Sequence, residues 1–527
     1  MSKIGIDVGG TNTDALVLDG PDVIVAVKTA TTADVTSGIA EALRRVLAQP
    51  GLDRGAIEAV IIGTTHFTNA VVQRRGLSPA TAVRVCLPAC ASIRPFIDWP
   101  EDLRRVAAAG HHLLAGGHEY DGRPIVPFDA DDMRRVAREI ASSGVSAVAL
   151  SGVFSPLNPA CEEAAARILE EEAPGLDVTL SHRLGRLGLL ERENVALLNA
   201  SLMALARRTI AGFTTALAES GIAAPLYLTQ NYGTIMDESY AAAFPVYSFA
   251  SGPTNSMRGA AFLSRIEEAV VVDVGGTTTD VGCLRRGFPN EANNIVHIGG
   301  VRTNFRMPDV LSIGLGGGSI VDEETGRVGP ESVGFELTRR ARVFGGEVLT
   351  ATDIAVAAGL VDLGDQSRVA NLDPGFVRAT MAKMHAMIAD AVDRMKLDAR
   401  PTPLIAVGGG AFLIPDSVPG ISEVVNVPHR GVANAVGAAI AQVSGEVDRI
   451  FQNVGREEAI ASARAEAEEQ AIRSGADPAS IVVVDVEDLP LAYLPGNTLR
   501  TRVRVMGDIA TPAIRQGADT ASMKLQA

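Results

Sequence analysis

Two stretches decide the fold: IGIDVGGTNTDALVL, residues 4–18, and VVVDVGGTTTDVGCL, residues 270–284. Their cores, DVGGTNTD and DVGGTTTD, differ at one position, and Asp7 and Asp273 stand 266 residues apart in a chain of 527. One glycine-rich loop between β-branched runs is an ordinary turn. The same loop at the head of each half marks an internal duplication. In each copy the apolar run ending in Asp reads as a buried strand, the paired glycines as a tight turn, and the next apolar run as the returning strand. The chain therefore opens each half with a β-hairpin that carries glycines at its tip.

Such a tip suits an anion. Adjacent glycines let the backbone approach an oxyanion with converging N–H groups. The candidate phosphate cradle is Gly9, Gly10, Thr11, Asn12 and Thr13 in the first copy, with Gly275, Gly276, Thr277 and Thr278 in the second. Gly276 is expected to need either φ > 0 or direct contact between backbone and phosphate. The carboxylates Asp7 and Asp273 repel phosphate unless a divalent cation lies between, so they are assigned to Mg2+. Asp14 and Asp280 are assigned to orienting the turn or a nucleophile. Two further clusters, Gly316-Gly317-Gly318 and Gly408-Gly409-Gly410, are expected to receive the nucleoside, the latter directly after the strand 404–407. ATP and Mg2+ are the expected cofactors.

Between and after the hairpins, β and α patterns alternate. Strands are expected at 59–62, 145–150, 178–180 and 404–407. Helices are expected at 131–142, 161–172, 194–219, 380–395 and 431–443. Alternation of this kind argues for α/β layers. The tail differs: a charged, Ala-rich helix at 456–473, then strands at 481–486 and 498–506, reads as a small α+β appendage. The composition excludes several classes. The formal net charge is −15 with no Lys/Arg block, which argues against a nucleic-acid surface. Four cysteines (Cys86, Cys90, Cys161, Cys283) are too few for a disulfide framework. The sequence starts on a strand pattern without an apolar leader and has no membrane-length apolar run, so a cytoplasmic location is expected. His111, His112 and His118 look superficially like a metal cluster, but no supporting motif accompanies them.

The order of motifs resembles the hydantoinase A/5-oxoprolinase family within the actin-like ATPase/hexokinase superfamily. Besides the two hairpins, the carriers are Ile62-Gly63-Thr64-Thr65 with Thr68-Asn69-Ala70, Val153-Phe154-Ser155 with Leu157-Asn158-Pro159, Ser181-His182, Glu191-Arg192 with Leu198-Asn199-Ala200, Ser251-Gly252-Pro253, and Gly316 to Ile320. The resemblance implies a duplicated RNase H-like (actin/hexokinase-type) fold in two α/β lobes. The expected regions are an N-terminal lobe at 1–190, a second lobe at 191–445 and the appendage at 446–527. It also implies ATP-dependent ring opening of a cyclic amide such as a hydantoin, oxoproline or lactam, through activation of the carbonyl oxygen. A second, unrelated hydrolase subunit is the expected partner, and the expected site lies in the cleft between the lobes. Relatives that serve ketone carboxylases use ATP to activate a ketone, and other actin-like ATPases reactivate a partner enzyme. His66, Asn231 and Ser251, in loops that follow strands, are the substrate-side candidates. One departure stands out: residues 329–346 read GPESVGFELTRRARVFGG, where the family carries a GPxCYG-like segment.

Overall fold

The computed structural model describes residues 2–9, 11–31, 35–50, 52–185, 187–292, 296–304, 306–492 and 496–510. Gly10 lies outside them. Among the described residues, the first sheet has nine strands and the second has six. The β-branched runs around each DVGGT loop form interior strands of each sheet, with side chains buried on both faces.

The duplication seen in sequence is also one of topology. In the first sheet, Asp22–Ala30 pairs antiparallel with Asn12–Asp19, which pairs antiparallel with Ser2–Val8. Parallel partners Ile57–Thr64 and then Leu226–Thr229 follow. In the second sheet, Val310–Ile313, Thr279–Arg285 and Ala269–Val274 repeat the antiparallel trio. Thr402–Val407 and Ile421–Asn426 repeat the parallel pair. This is an RNase H-like sheet built twice, the architecture of the actin/hexokinase-type ATPase fold.

Two helices of small residues carry the chain between the sheets. Ser251–Ser264 leads from the first sheet to the second, and Ala433–Ala439 leads back. They touch through backbone. A Cβ on Gly259 would lie 1.9 Å from the Ala433 carbonyl oxygen, and one on Gly437 would lie 1.8 Å from that of Asn255. Any side chain at either position would push the helices, and with them the sheets, apart.

The first half also holds a four-stranded parallel sheet, in the order Ala108–Ala115, Ala80–Leu87, Ala147–Gly152, Asp177–Leu180. Its crossovers include the helix Ala130–Ser143. Asp129 caps that helix by accepting from the Asp132 amide, and Gly144 ends it at φ 76°. The long helix Leu189–Glu219 packs against this sheet and buries Leu197, Leu198 and Phe213 in the core of the first large sheet.

The tail and the lobe border differ from expectation in instructive ways. The tail is α+β, yet its strands Gln442–Phe451, Leu499–Gly507 and Val482–Pro490 extend the first sheet. The helix Arg456–Arg473 covers them with Ala459, Ala463, Ala467 and Ala471, one per turn and all buried. The helix expected at 431–443 ends at Ala439, because Val443 and Val447 follow the period-two burial of a strand. Strands Leu226–Thr229 and Thr234–Asp237 also join the first sheet, so sheet membership changes at Ala269 rather than near residue 190. Among the described residues no helix is long and apolar enough to cross a membrane.

Candidate functional site

The two hairpins share one register. Asp7 faces Asp14 and Val8 faces Thr13; Asp273 faces Asp280 and Val274 faces Thr279. Residues directly opposite in an antiparallel pair project from the same face. Each hairpin therefore presents a pair of carboxylates beside its tip. The turns close alike, with Gly9 N–H donating to the Asn12 carbonyl at 3.0 Å and Gly275 N–H to that of Thr278 at 2.9 Å.

The tips face each other. A Cβ on Gly276 would lie 2.8 Å from Thr11 Oγ1. Gly276 does not have a positive φ, so its constraint is this close approach rather than left-handed backbone. The tip carbonyls are tied back into the protein. Thr31 donates from Oγ1 to Gly9 O at 2.8 Å and from its amide to Thr11 O at 3.0 Å. Gly317 and Gly318 amides donate to Gly275 O at 3.0 Å and Gly276 O at 2.7 Å. Among the described residues the N–H groups of Thr11, Gly276 and Thr277 donate to nothing. A tip whose oxygens are turned away and whose amides are free has the donor arrangement that an anion would need.

The electrostatics sharpen the picture. Asp7 is 5% exposed, with Oδ1 unpartnered and Oδ2 accepting from Asn434 Nδ2 at 3.2 Å. Burial and the neighbouring Asp14 push its carboxyl up to about 7, against the Asn434 bond. Burial likewise raises Asp14, opposed by Lys28, whose Nζ lies 2.6 Å from Oδ1 and 2.8 Å from Oδ2. Burial raises Asp273, opposed by Ser256 and Lys28, and pushes Asp280 up to about 6, opposed by the Ser312 hydroxyl that donates to it. Asp273 contributes to the shifts of both Asp7 and Asp14, so the carboxylates of the two hairpins share one region. Two buried carboxylates, Asp7 and Asp14, beside two half-buried ones, Asp273 and Asp280, with an orphaned oxygen on Asp7, suit a hard divalent cation. These residues fit Mg2+ at Asp7 and Asp273 and phosphate at the tips.

The other sequence candidates separate into groups. Thr277, Thr278 and Gly409 are exposed, and Thr11 and Asn12 are half-buried. Thr13 is fully buried and its hydroxyl bonds Thr31, so it belongs to the support of the loop. Gly316, Gly317 and Gly318 differ from expectation: their amides are spent on Ser319 Oγ, Gly275 O and Gly276 O, so this loop braces the second hairpin. Gly408, at φ 91°, packs where a Cβ would lie 2.2 Å from Asp273 Oδ1, and Gly410 N–H donates to Val274 O. His66 starts the helix His66–Gln73 directly after the strand that pairs with Ser2–Val8. Asn231 and Ser251 are buried and their side chains brace backbone. Asn231 accepts from the Ala250 amide and donates to Val246 O, and Ser251 Oγ donates to Thr64 O. Among the described residues no group of three or more His, Cys, Asp or Glu is placed to hold a metal ion, and His111 and His112 stay on an outer strand.

Sequence reading missed Lys28, Asn434, Ser256 and Ser312. Lys28 and Ser312 occupy the same station: each stands on the third strand, opposite the second aspartate of its hairpin. That equivalence is the signal that aligning the two halves past the hairpins would have given.

Residues 3–173 match the hydantoinase/oxoprolinase N-terminal region, and residues 192–367 match hydantoinase/oxoprolinase. The chain belongs to the hydantoinase/oxoprolinase family. Within the family it is 26% identical over 380 residues to caprolactamase subunit alpha of Pseudomonas jessenii, covering 68% of this chain and 54% of that one. It is 27% identical over 395 residues to the acetophenone carboxylase gamma subunit of Aromatoleum aromaticum, covering 69% and 54%. An uncharacterized protein of Methanocaldococcus jannaschii is 23% identical over 423 residues, covering 75% and 62%. The chain thus spans only about half to three-fifths of the length of these relatives. Two solved structures share the fold at 18% identity: an ATP-dependent caprolactamase from Pseudomonas jessenii (TM-score 0.77, 96% of this chain, 87% of that one) and a nucleotide-free acetone carboxylase (0.72, 97% and 88%).

Proposed function

We propose that this hydantoinase/oxoprolinase-family chain binds Mg-ATP between its two hairpins and uses it to open a cyclic amide, such as a hydantoin, oxoproline or lactam. The observation that carries the reading is the pair of facing tips, with carbonyls tied back, amides free and carboxylates from both halves alongside. ATP supplies the activation that makes a resonance-stabilised amide carbon electrophilic enough for water to add, so that the ring C–N bond can then break. The tip amides hold phosphate oxygens, while Asp7 and Asp273 hold the cation that offsets their charge. Lys28 keeps Asp14 in place, and the facing hairpins fix the approach of the reacting groups.

The acetophenone carboxylase gamma subunit stands as near in sequence as caprolactamase subunit alpha. A ketone-activating subunit of a carboxylase is therefore the second reading, with the same hairpins in the same roles. Both relatives are named as subunits, which supports a partner subunit for this chain. Alone, the purified chain is expected to hydrolyse Mg-ATP weakly and to open little or no amide. The product of a neighbouring gene should raise both activities. ATP turnover that rises with a cyclic amide supports the first reading, and dependence on bicarbonate with a ketone supports the second. Full coupled amide hydrolysis by the isolated chain, at ordinary rates of ~1–10³ s⁻¹, contradicts the need for a partner.

A further inference from the structure

Away from the hairpins, the four-stranded sheet ends in a buried charged network aimed at one imidazole. Glu162 and Arg192 are fully buried. Glu162 Oε2 lies 2.7 Å from His182 Nδ1 and accepts from the His182 amide at 3.1 Å, and its Oε1 accepts from Ser181 Oγ at 2.6 Å. Arg192 in turn donates from Nε to Ser181 Oγ at 2.9 Å, and from its terminal nitrogens to Leu187 O and Gly152 O. Phe154, two residues after the strand ending at Gly152, is held at φ 52°, with its carbonyl accepting from the Leu157 and Asn158 amides. A non-glycine residue in this region is strained and persists only where its surroundings impose it.

The bonds among Glu162, Ser181 and Arg192 converge on His182, which sits past the C-terminal end of the strand Asp177–Leu180. The imidazole is 14% exposed, and among the described residues Nε2 has no protein partner and is not enclosed. The C-terminal ends of parallel strands are where α/β sheets present their reactive groups. A carboxylate on Nδ1 fixes which ring nitrogen faces outward and steadies the ring when Nε2 takes a proton. A bonded path joins this end to the hairpins. Tyr247 Oη donates to Arg183 O, the Asn231 amide donates to Tyr247 O, and Asn231 Oδ1 accepts from Ala250 N–H. The next residue, Ser251, bonds Thr64 O at the end of the strand beside Asp7.

We propose that His182 is the proton-transfer residue on the substrate side and Glu162 its positioning residue, the ligand being a small carbonyl compound with a ring N–H. The inference rests on the reading above. In the step assigned to it, a water oxygen bonds to the activated carbonyl carbon while one of its O–H bonds breaks. The carbonyl oxygen carries the phosphoryl group from ATP, the C=N π pair returns to the ring nitrogen as water adds, and the water proton goes to Nε2. His182 then gives that proton to the ring nitrogen as the C–N bond breaks, and the acyl phosphate left behind is hydrolysed to carboxylate and phosphate.

The test uses the full chain and begins with diethyl pyrocarbonate, locating the modified histidines by peptide mass spectrometry. His182 should react in the free chain. It should be protected when Mg2+, a non-hydrolysable ATP analogue and one of hydantoin, 5-oxoproline or 2-pyrrolidinone are present. Glu162→Gln should slow the labelling of His182, which a merely structural glutamate would not do. In whichever assembly turns over substrate, His182→Gln should lose ~10²–10⁴-fold in coupled turnover, and imidazole should restore part of it to His182→Gly. Labelling unchanged by every ligand, or coupled turnover unchanged in folded His182→Gln, overturns the inference. Absence of any thermal shift with Mg-ATP is a different failure, since it removes the nucleotide reading on which the inference stands.

Discussion

The two hairpins have nearly the same sequence and the same register, yet their surroundings differ. Opposite Asp14 the first sheet places Lys28; opposite Asp280 the second places Ser312. The first tip is tied back by one residue, Thr31, and the second by the amides of Gly317 and Gly318. Thus the duplicated loop sets the geometry of the cradle, and the third strand sets the charge of each half. The first half carries an ion-paired carboxylate and the second a carboxylate held only by a neutral hydroxyl. Two copies of one motif thereby place unlike electrostatic surroundings on tips that face each other.

The largest expected effect tests what the halves share. Asp7→Ala and Asp273→Ala should each lower Mg-dependent ATP turnover by at least ~100-fold, the scale of losing one well-placed electrostatic group. Near-normal turnover in either folded variant, measured in a coupled phosphate assay, breaks the symmetric metal assignment. The next pair tests the difference. Lys28→Met removes a charged partner of Asp14 and should cost about 10–100-fold in turnover, whereas Ser312→Ala removes a neutral donor and should cost about 2–10-fold. Equal losses would mean that the third strands do not divide the work.

Gly276→Val tests the facing tips. Its side chain would meet Thr11 Oγ1, with a Cβ at 2.8 Å, so affinity for Mg-ATP should fall about tenfold, or 1.4 kcal/mol. Unchanged affinity by isothermal titration would show that the tips do not close on the ligand together. The smallest effect is in pH. Asp7 is held up at about 7 in the fold against 3.8 as its ordinary value. The folded, ligand-free chain then holds a proton that the unfolded chain has released. Stability from this group is greatest below its ordinary value and falls as pH rises towards 7. Mg2+ needs the ionised forms of Asp7 and of Asp273, which burial also raises. Mg-ATP affinity should therefore rise with pH below about 7, by up to tenfold per unit for each carboxylate that ionises on binding, and level off above it. A flat profile between pH 5.5 and 8 would remove Asp7 from the cation site.

Much of this was readable before any coordinates. The hairpins, the strand 404–407 and the helices 161–172 and 456–473 follow from apolar periodicity, glycine pairs and the repeat itself. What was not readable was long-range. Lys28 sits in an alternating strand, where a lysine reads as a solvated face, and only pairing with Asn12–Asp19 turns it towards Asp14. Asn434 lies 427 residues from its partner Asp7. Gly316 to Gly318 resemble a ligand loop in composition, and only the carbonyls of Gly275 and Gly276 show where their amides go. The tail strands carry ordinary β patterns, and no local signal reveals that they extend the first sheet rather than stand apart.

A crystal structure of the chain with Mg2+ and a non-hydrolysable ATP analogue tests the central claim most directly. The account predicts phosphate oxygens within hydrogen-bond distance of the Thr11, Gly276 and Thr277 amides, with the cation beside Asp7 and Asp273. Nucleotide bound elsewhere, or phosphates that touch only one hairpin tip, would contradict it.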